Sequence, residues 1–135
     1  PLNSYTDLEG HWFELTASKL NYIDLLEDVP TFNPSNQVTK AELATYLNKI
    51  YNYSVLSTPS ILINDIDDTM PNYQDIITCV QHGVLTLDSE LRFNPSDKLT
   101  RAAAITAIVR ACSFDDNTPT VSFSFWDISA SHMYG

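Results

Sequence analysis

Two cations stand in a repeated setting. Lys40 follows Thr39 and precedes Ala41; Arg101 follows Thr100 and precedes Ala102. A threonine that opens a helix places the next residue at the positive end of the helix dipole, where an anion is welcome and a cation is mildly disfavoured. Taken alone, each cation reads as an ordinary exposed residue at a helix start. The other reactive side chains form no constellation. His11, His82 and His132 lack the spacing of a metal set. The run Asn64-Asp65-Ile66-Asp67-Asp68 lacks the glycine and distal glutamate of a calcium loop, and Asp65 reads instead as a residue that caps a helix or fixes a loop. No Gly-x-Ser-x-Gly or His-Glu-x-x-His frames a serine, histidine or aspartate. With three glycines, no phosphate-cradling loop is expected. Neither enzyme activity, nor a cofactor, nor a bound metal is expected.

The cations sit inside longer phrases. "FNPSNQVTKAELA" spans 32–44 and "FNPSDKLTRAAAI" spans 93–105. Phe32 and Phe93 are 61 residues apart (93 minus 32), as are Thr39 and Thr100. Upstream, Tyr5-Thr6-Asp7-Leu8 is matched by Ile63-Asn64-Asp65-Ile66, and Phe125-Trp126-Asp127-Ile128 opens a third copy. Self-similarity at a fixed period marks a repeat architecture. The division is therefore repeat 1 over 1–51, a connector at 52–62, repeat 2 over 63–113, a connector at 114–122, and the start of a third repeat over 123–135.

Each unit reads as helix, loop, helix. Trp12, Leu15, Leu20 and Ile23 suggest a stripe on a first helix running from Gly10-His11 to Asp24-Leu25. Thr39 and Glu42 form a capping box for a second helix with Leu43, Tyr46, Leu47 and Ile50 on its apolar face, and Lys49 suits its C-terminal end. In the second unit the stripe is Ile76, Ile77, Val80 and Val84, and Gly83 is placed to end the helix in a left-handed conformation. The last helix begins at Thr100 and carries Ala104, Ile105, Ile108 and Val109. Ala103 replaces the glutamate, so only half of the box is present. Helix pairs this small bury too little alone, so neighbouring units must pack together.

Composition sets bounds on the partner. The chain has 135 residues, 44% of them hydrophobic, and a net charge of −10 from 7 basic and 17 acidic residues. Nucleic acid and anionic membrane surfaces are excluded as partners on that charge. No apolar run approaches the ~18 residues of a membrane span, so no membrane insertion is expected. The chain starts with proline and lacks a secretory leader, which reads as a soluble piece of a larger protein. Cys79 and Cys112 stand outside any Cys-x-x-Cys pair; two core thiols or one disulfide are both open.

The ordered phrases carry a resemblance. Aromatic-x-Asp-aliphatic, His11-Trp12, Phe32-Asn33-Pro34 and Thr39-Lys40-Ala41-Glu42 resemble the S-layer homology (SLH) domain of bacterial cell envelopes. Gly83-Val84, Phe93-Asn94-Pro95 and Thr100-Arg101-Ala102 repeat the pattern in the second unit. The resemblance implies an all-α fold of tandem helix–loop–helix repeats around a shared helical core, pseudo-threefold when a third repeat is complete. It implies an extracellular module of the bacterial cell wall or S-layer. That module binds secondary cell-wall polysaccharide, often pyruvylated, in grooves between repeats. By position it makes Arg101 and Lys40 the anion contacts and Trp12 a groove wall. Arginine can hold a carboxylate with two parallel hydrogen bonds and lysine cannot, so the Arg101 copy ranks as the better anion site. The sequence departs from the pattern at Lys40 for arginine, Ala103 for glutamate, Met70-Pro71 for the second His-Trp, and Asp24 for a glycine. Those departures leave open a structural or protein-interaction module, with homo-oligomers formed through the incomplete third repeat.

Overall fold

A computed structural model describes residues 5–57 and 61–112. The expected start of a third repeat at 123–135 lies outside these residues, as do Trp126 and His132. Among the described residues there are four helices: α1 (Glu14–Tyr22), α2 (Lys40–Tyr51), α3 (Tyr73–Gln81) and α4 (Arg101–Ala111). Extended pairing among the described residues is limited to one antiparallel bridge between Thr39 and Lys98. The fold is mainly helical and built as two tandem units.

The capping signals act as the residue types dictate. Thr39 accepts the amide of Glu42, and the Glu42 carboxylate accepts the Thr39 amide at 2.7 Å, completing the capping box. Thr100 accepts the Ala103 amide with no reciprocal carboxylate. α3 ends where Gly83 turns left-handed (φ +69°), with the Gly83 and Val84 amides donating to Val80 and Cys79 carbonyls. α1 ends by the same two bonds, from Asp24 to Asn21 and from Leu25 to Leu20, with Asp24 itself at φ +58°. A Schellman turn thus closes both first helices, once with the residue that prefers it and once without.

α1 is shorter than the stripe predicts. It starts at Glu14 rather than Gly10-His11, because Gly10 at φ +73° holds a preceding turn and the Glu14 carboxylate accepts the Gly10 amide. Its apolar residues also face differently. Trp12, Leu15 and Ile23 are exposed, whereas Ala17 and Ser18 are buried. The reason is that α1 packs on loops, in a small cluster with Tyr5, Leu8, Phe13, Leu26 and Phe32, and touches no other helix of the described residues.

α2 is the pivot. Its Ala41, Ala44 and Leu47 are buried in the core of the second unit, with Ile63, Ile76, Cys79, Val84, Phe93, Ala107 and Ala111. It packs on α3 and, less extensively, on α4. Polar groups fix the register of the α2–α3 pair. The Asp75 carboxylate accepts from Thr45 at 2.8 Å and Asn48 at 2.7 Å, and Asn72 donates to Thr45. α4 turns its small residues inward, burying Ala107 and Ala111 while Ile105 and Ile108 each remain 49% exposed. This corrects the expected face of α4. By the 61-residue offset, Ile105 and Ile108 correspond to Ala44 and Leu47, which are covered by α3; among the described residues no equivalent helix covers α4. The cysteines stay free: Cys79 is buried and its thiol is pushed up to about 12 by that burial, and Cys112 is exposed.

One carboxylate in each unit holds the loop between its helices. Asp65 accepts the amides of Phe93 (2.7 Å) and Asn94 (2.6 Å), and Asp7 accepts those of Phe32 (2.8 Å) and Asn33 (2.6 Å). Asp65 therefore fixes a loop, one of the two roles expected for it. The amides hold Asp7 below its ordinary value, the Phe32 amide being the largest cause, and Asp88 is lowered chiefly by the Arg92 amide and the Asn94 side chain. Lowered folded-state values mean a contribution that is full above the ordinary carboxylate value of ~3.9 and lost as pH falls through the folded values. Acid unfolding followed by circular dichroism is expected to set in below about pH 4. Asp65→Ala, which leaves two amides without a charged acceptor, is expected to cost about 2–4 kcal/mol in urea titrations.

Candidate functional site: the groove between the repeats

The two Phe-Asn-Pro-Ser phrases meet where one unit hands over to the next. The Lys40 amide donates to the Asp97 carbonyl at 2.9 Å, and the Ala41 amide to the Pro95 carbonyl at 3.0 Å. The Leu99 amide returns to the Val38 carbonyl at 3.1 Å. The start of α2 is thus clasped by the loop of the second unit. This alters the expectation of outward-pointing amides at that helix start. The first amides of α2 are taken by Asp97, Pro95 and Thr39, so a ligand beside Lys40 meets a side chain and not a row of backbone donors. At α4 the Ala103 and Ala104 amides go to Thr100, while those of Arg101 and Ala102 have no partner among the described residues.

The clasp positions Lys40. Its ammonium donates to the Thr86 carbonyl at 2.8 Å and sits 4.5 Å from the centroid of the Phe93 ring. The first contact anchors one of its three hydrogens; the second supplies a cation–π attraction. Burial lowers its pKa, opposed by Asp97, Asp65 and Asp88. A groove of about 230 Å³ opens beside it, walled by Leu85, Thr86, Leu99, Thr100 and the Ala103–Ala107 face of α4. Lys98 and Arg110 also line it, with Asp97 as its one acid. Three of the chain's seven basic residues converge there against a net charge of −10. Both ion pairs among the described residues belong to Arg92, so none of these three forms an ion pair there. Lys98 donates to the Gln37 carbonyl at 3.1 Å.

The three residues singled out by sequence do not share one pocket. Lys40 is in the groove between the repeats. Arg101 is exposed at the head of α4, and lines neither of the grooves described in this section. Trp12 lines a second, larger groove of about 680 Å³ on the first unit, between its loop and α2. There the Trp12 ring lies 5.4 Å from Phe13, Phe13 lies 5.2 Å from Phe32, and Phe32 lies 5.5 Å from Tyr5. Phe32 corresponds to Phe93, but no cation is stacked over it. Sequence reasoning passed over Lys98 and Arg110. Lys98 lies within the repeated phrase two residues before Thr100, which is a signal; Arg110 in the last turn of α4 has none, because only packing brings it alongside Lys40.

Among the described residues no group of His, Cys, Asp or Glu is arranged to hold a metal, and no helix is long and apolar enough to cross a membrane. What the arrangement can do chemically is hold an anionic group by point charges in a shallow, partly apolar cleft.

Paired helical units, clasped through a repeated loop and leaving a basic cleft at the junction, define a tandem helical repeat module. The family model of the S-layer homology domain matches residues 4–44 and 62–105, more than half of the chain, and the chain belongs to that family. Domains of this family anchor proteins to the cell surface through cell-wall polysaccharide and are not catalytic. No curated protein and no solved structure matches the chain.

The helix starts that build the groove are expected to differ in strength. Thr39→Ala removes the two bonds of the threonine hydroxyl, one from the Glu42 amide and one to the Glu42 carboxylate, while the backbone amide of residue 39 is retained, and is expected to cost about 1–2 kcal/mol in thermal or urea unfolding. Thr100→Ala, with a single side-chain bond to lose, is expected to cost about half as much.

Proposed function

We propose that the module holds its parent protein at the outside of a bacterial cell by binding secondary cell-wall polysaccharide, an acidic or pyruvylated glycan, at the cationic surface of the repeat junction and of α4. The observation that carries this reading is the convergence of Lys40, Lys98 and Arg110 on one groove in a strongly acidic chain. A carboxylate there meets three cations that form no ion pair among the described residues, in a chain whose net charge repels it. Arg101 extends the basic surface at the head of α4, where its own amide and that of Ala102 remain unpaired among the described residues. Backbone donors, a guanidinium and the positive helix end together make the stronger anion contact. Lys40 is half-buried and committed to Thr86 and Phe93, so it contributes less.

Co-sedimentation with purified cell walls tests the reading. Binding to walls that keep their secondary polysaccharide, and loss of it when the polymer is stripped, is the expected result. Arg101→Ala is expected to weaken binding about tenfold and Lys40→Ala less. Equal losses would remove the ranking of the two cations, and no binding to either wall would remove the function.

A second reading is favoured by the face of α4 that no helix among the described residues covers. Ile105, Ile108 and Val109 offer what α2 offers to α3, and α1 has no helical neighbour among the described residues. The module then assembles with further copies of itself, and the apolar face is the contact. Sedimentation velocity at increasing concentration is expected to show association, which Ile105→Glu abolishes; a monomer at all concentrations would exclude it.

A further inference from the structure

We infer that the exposed face of α4 seats α1 of a second copy of this chain, in the way that α2 seats α3 within one copy. This inference rests on the self-association reading above and names the surface that the α4 face meets.

The repeat is the first reason. α1 and α3 are equivalent elements: Glu14 and Tyr73 open them 59 residues apart (73 minus 14), and the left-handed turns at Asp24 and Gly83 close them at the same offset. α2 and α4 are equivalent at the offset of 61. Within the chain one helix of the α2 type already seats one of the α3 type. α4 and α1 are the remaining members of the two types, and neither meets such a partner among the described residues. In the existing contact the Cys79 thiol donates to the Ala44 carbonyl at 3.4 Å, and Asp75 accepts from Thr45 and Asn48. The same positions hold Ile105, Thr106 and Val109 on α4, and Leu20 and Thr16 on α1. The carboxylate–amide pair gives way to Thr16 and Val109, so the seat between copies is the more apolar of the two and is held by burial.

Exposure is the second reason. At the end of α3, Gln81 exchanges two hydrogen bonds with the Leu56 backbone, and His82 donates to the Ser54 carbonyl while stacking on Tyr53. Those two residues grip the chain that follows α2. Their equivalents on α1 are Tyr22 and Ile23, which are 78% and 60% exposed. Two large apolar side chains thus stand in water where α3 makes its contacts.

Charge is the third reason, and it selects the pairing. Glu9, Glu14, Asp24, Glu27 and Asp28 surround α1 against Lys19 alone, whereas α4 carries Arg101 and Arg110 and no acid. Setting α4 on α4, or α1 on α1, opposes like charges; setting α4 on α1 joins unlike ones. The contact is therefore heterologous, using two different surfaces of each copy.

Sedimentation velocity of the full chain with paired variants tests this. Ile105→Glu spoils the α4 face and Ile23→Glu the α1 face. Both side chains are exposed, and an unchanged circular dichroism spectrum checks that the helices persist; Ile108→Glu and Tyr22→Glu serve as second variants of the two faces. Each variant alone is expected to associate at least about tenfold more weakly than the unaltered chain. An equimolar mixture is expected to restore association as a species of two chains, one of each variant, because each supplies the face the other lacks. If Ile23→Glu associates like the unaltered chain, or if the mixture stays monomeric while the unaltered chain associates, the head-to-tail pairing is overturned and self-association stands. If the unaltered chain is a monomer at every concentration, both are overturned.

Discussion

Everything in this molecule is arranged around the backbone clasp between Val38–Ala41 and Pro95–Leu99. Two amides at the head of α2 need acceptors, and the carbonyls of Pro95 and Asp97 supply them. That loop holds still because Asp65 accepts the amides of Phe93 and Asn94, and because Asn94 adopts a left-handed conformation that asparagine tolerates. With the loop fixed, Phe93 is driven fully into the core and its ring becomes the platform for Lys40. Loop, helix start, core and groove are consequences of one hydrogen-bonded junction.

The same device explains why the phrase occurs twice. In the first unit Asp7 holds Phe32 and Asn33 as Asp65 holds Phe93 and Asn94. There the loop clasps no helix start among the described residues, and an open aromatic groove lies where the second unit has a filled junction. Conversely, the first amides of α4 have no partner among the described residues, where those of α2 are occupied. Two identical local structures therefore differ in chemistry. The first leaves rings and carboxylates facing solvent; the second gathers lysines and an arginine. A chain with ten excess negative charges brings three of its seven basic residues to one cleft, and none of the three forms an ion pair among the described residues.

Local signals were legible wherever a short stretch of chain satisfies its own backbone. Thr39 with Glu42, the half-box at Thr100, the left-handed Gly83, and the repeat itself are all of this kind. Asp24 is instructive in the opposite sense. Its type signals a left-handed turn less strongly than glycine does, and the bonds from Asp24 to Asn21 and from Leu25 to Leu20 hold it there. The helical stripes were less legible. Periodicity marks which residues share a face, not whether that face finds a neighbour. Ile105, Ile108 and Leu15 keep an apolar pattern that the described residues leave uncovered, while alanines fill the contacts between helices.

By itself the sequence determined the two-unit plan, the helix caps, the family and the acidic field against which any anion must be held, because each of these depends on residue type, short spacing or total charge. Tertiary structure alone decided which cations meet. Lys40, Lys98 and Arg110 come from three separate places in the chain and share a cleft only because α2 is buried in the second unit's core. It also decided that Arg101 and Trp12 stand apart from that cleft. Distances between side chains on different elements are set by how helices pack, and no local spacing encodes that.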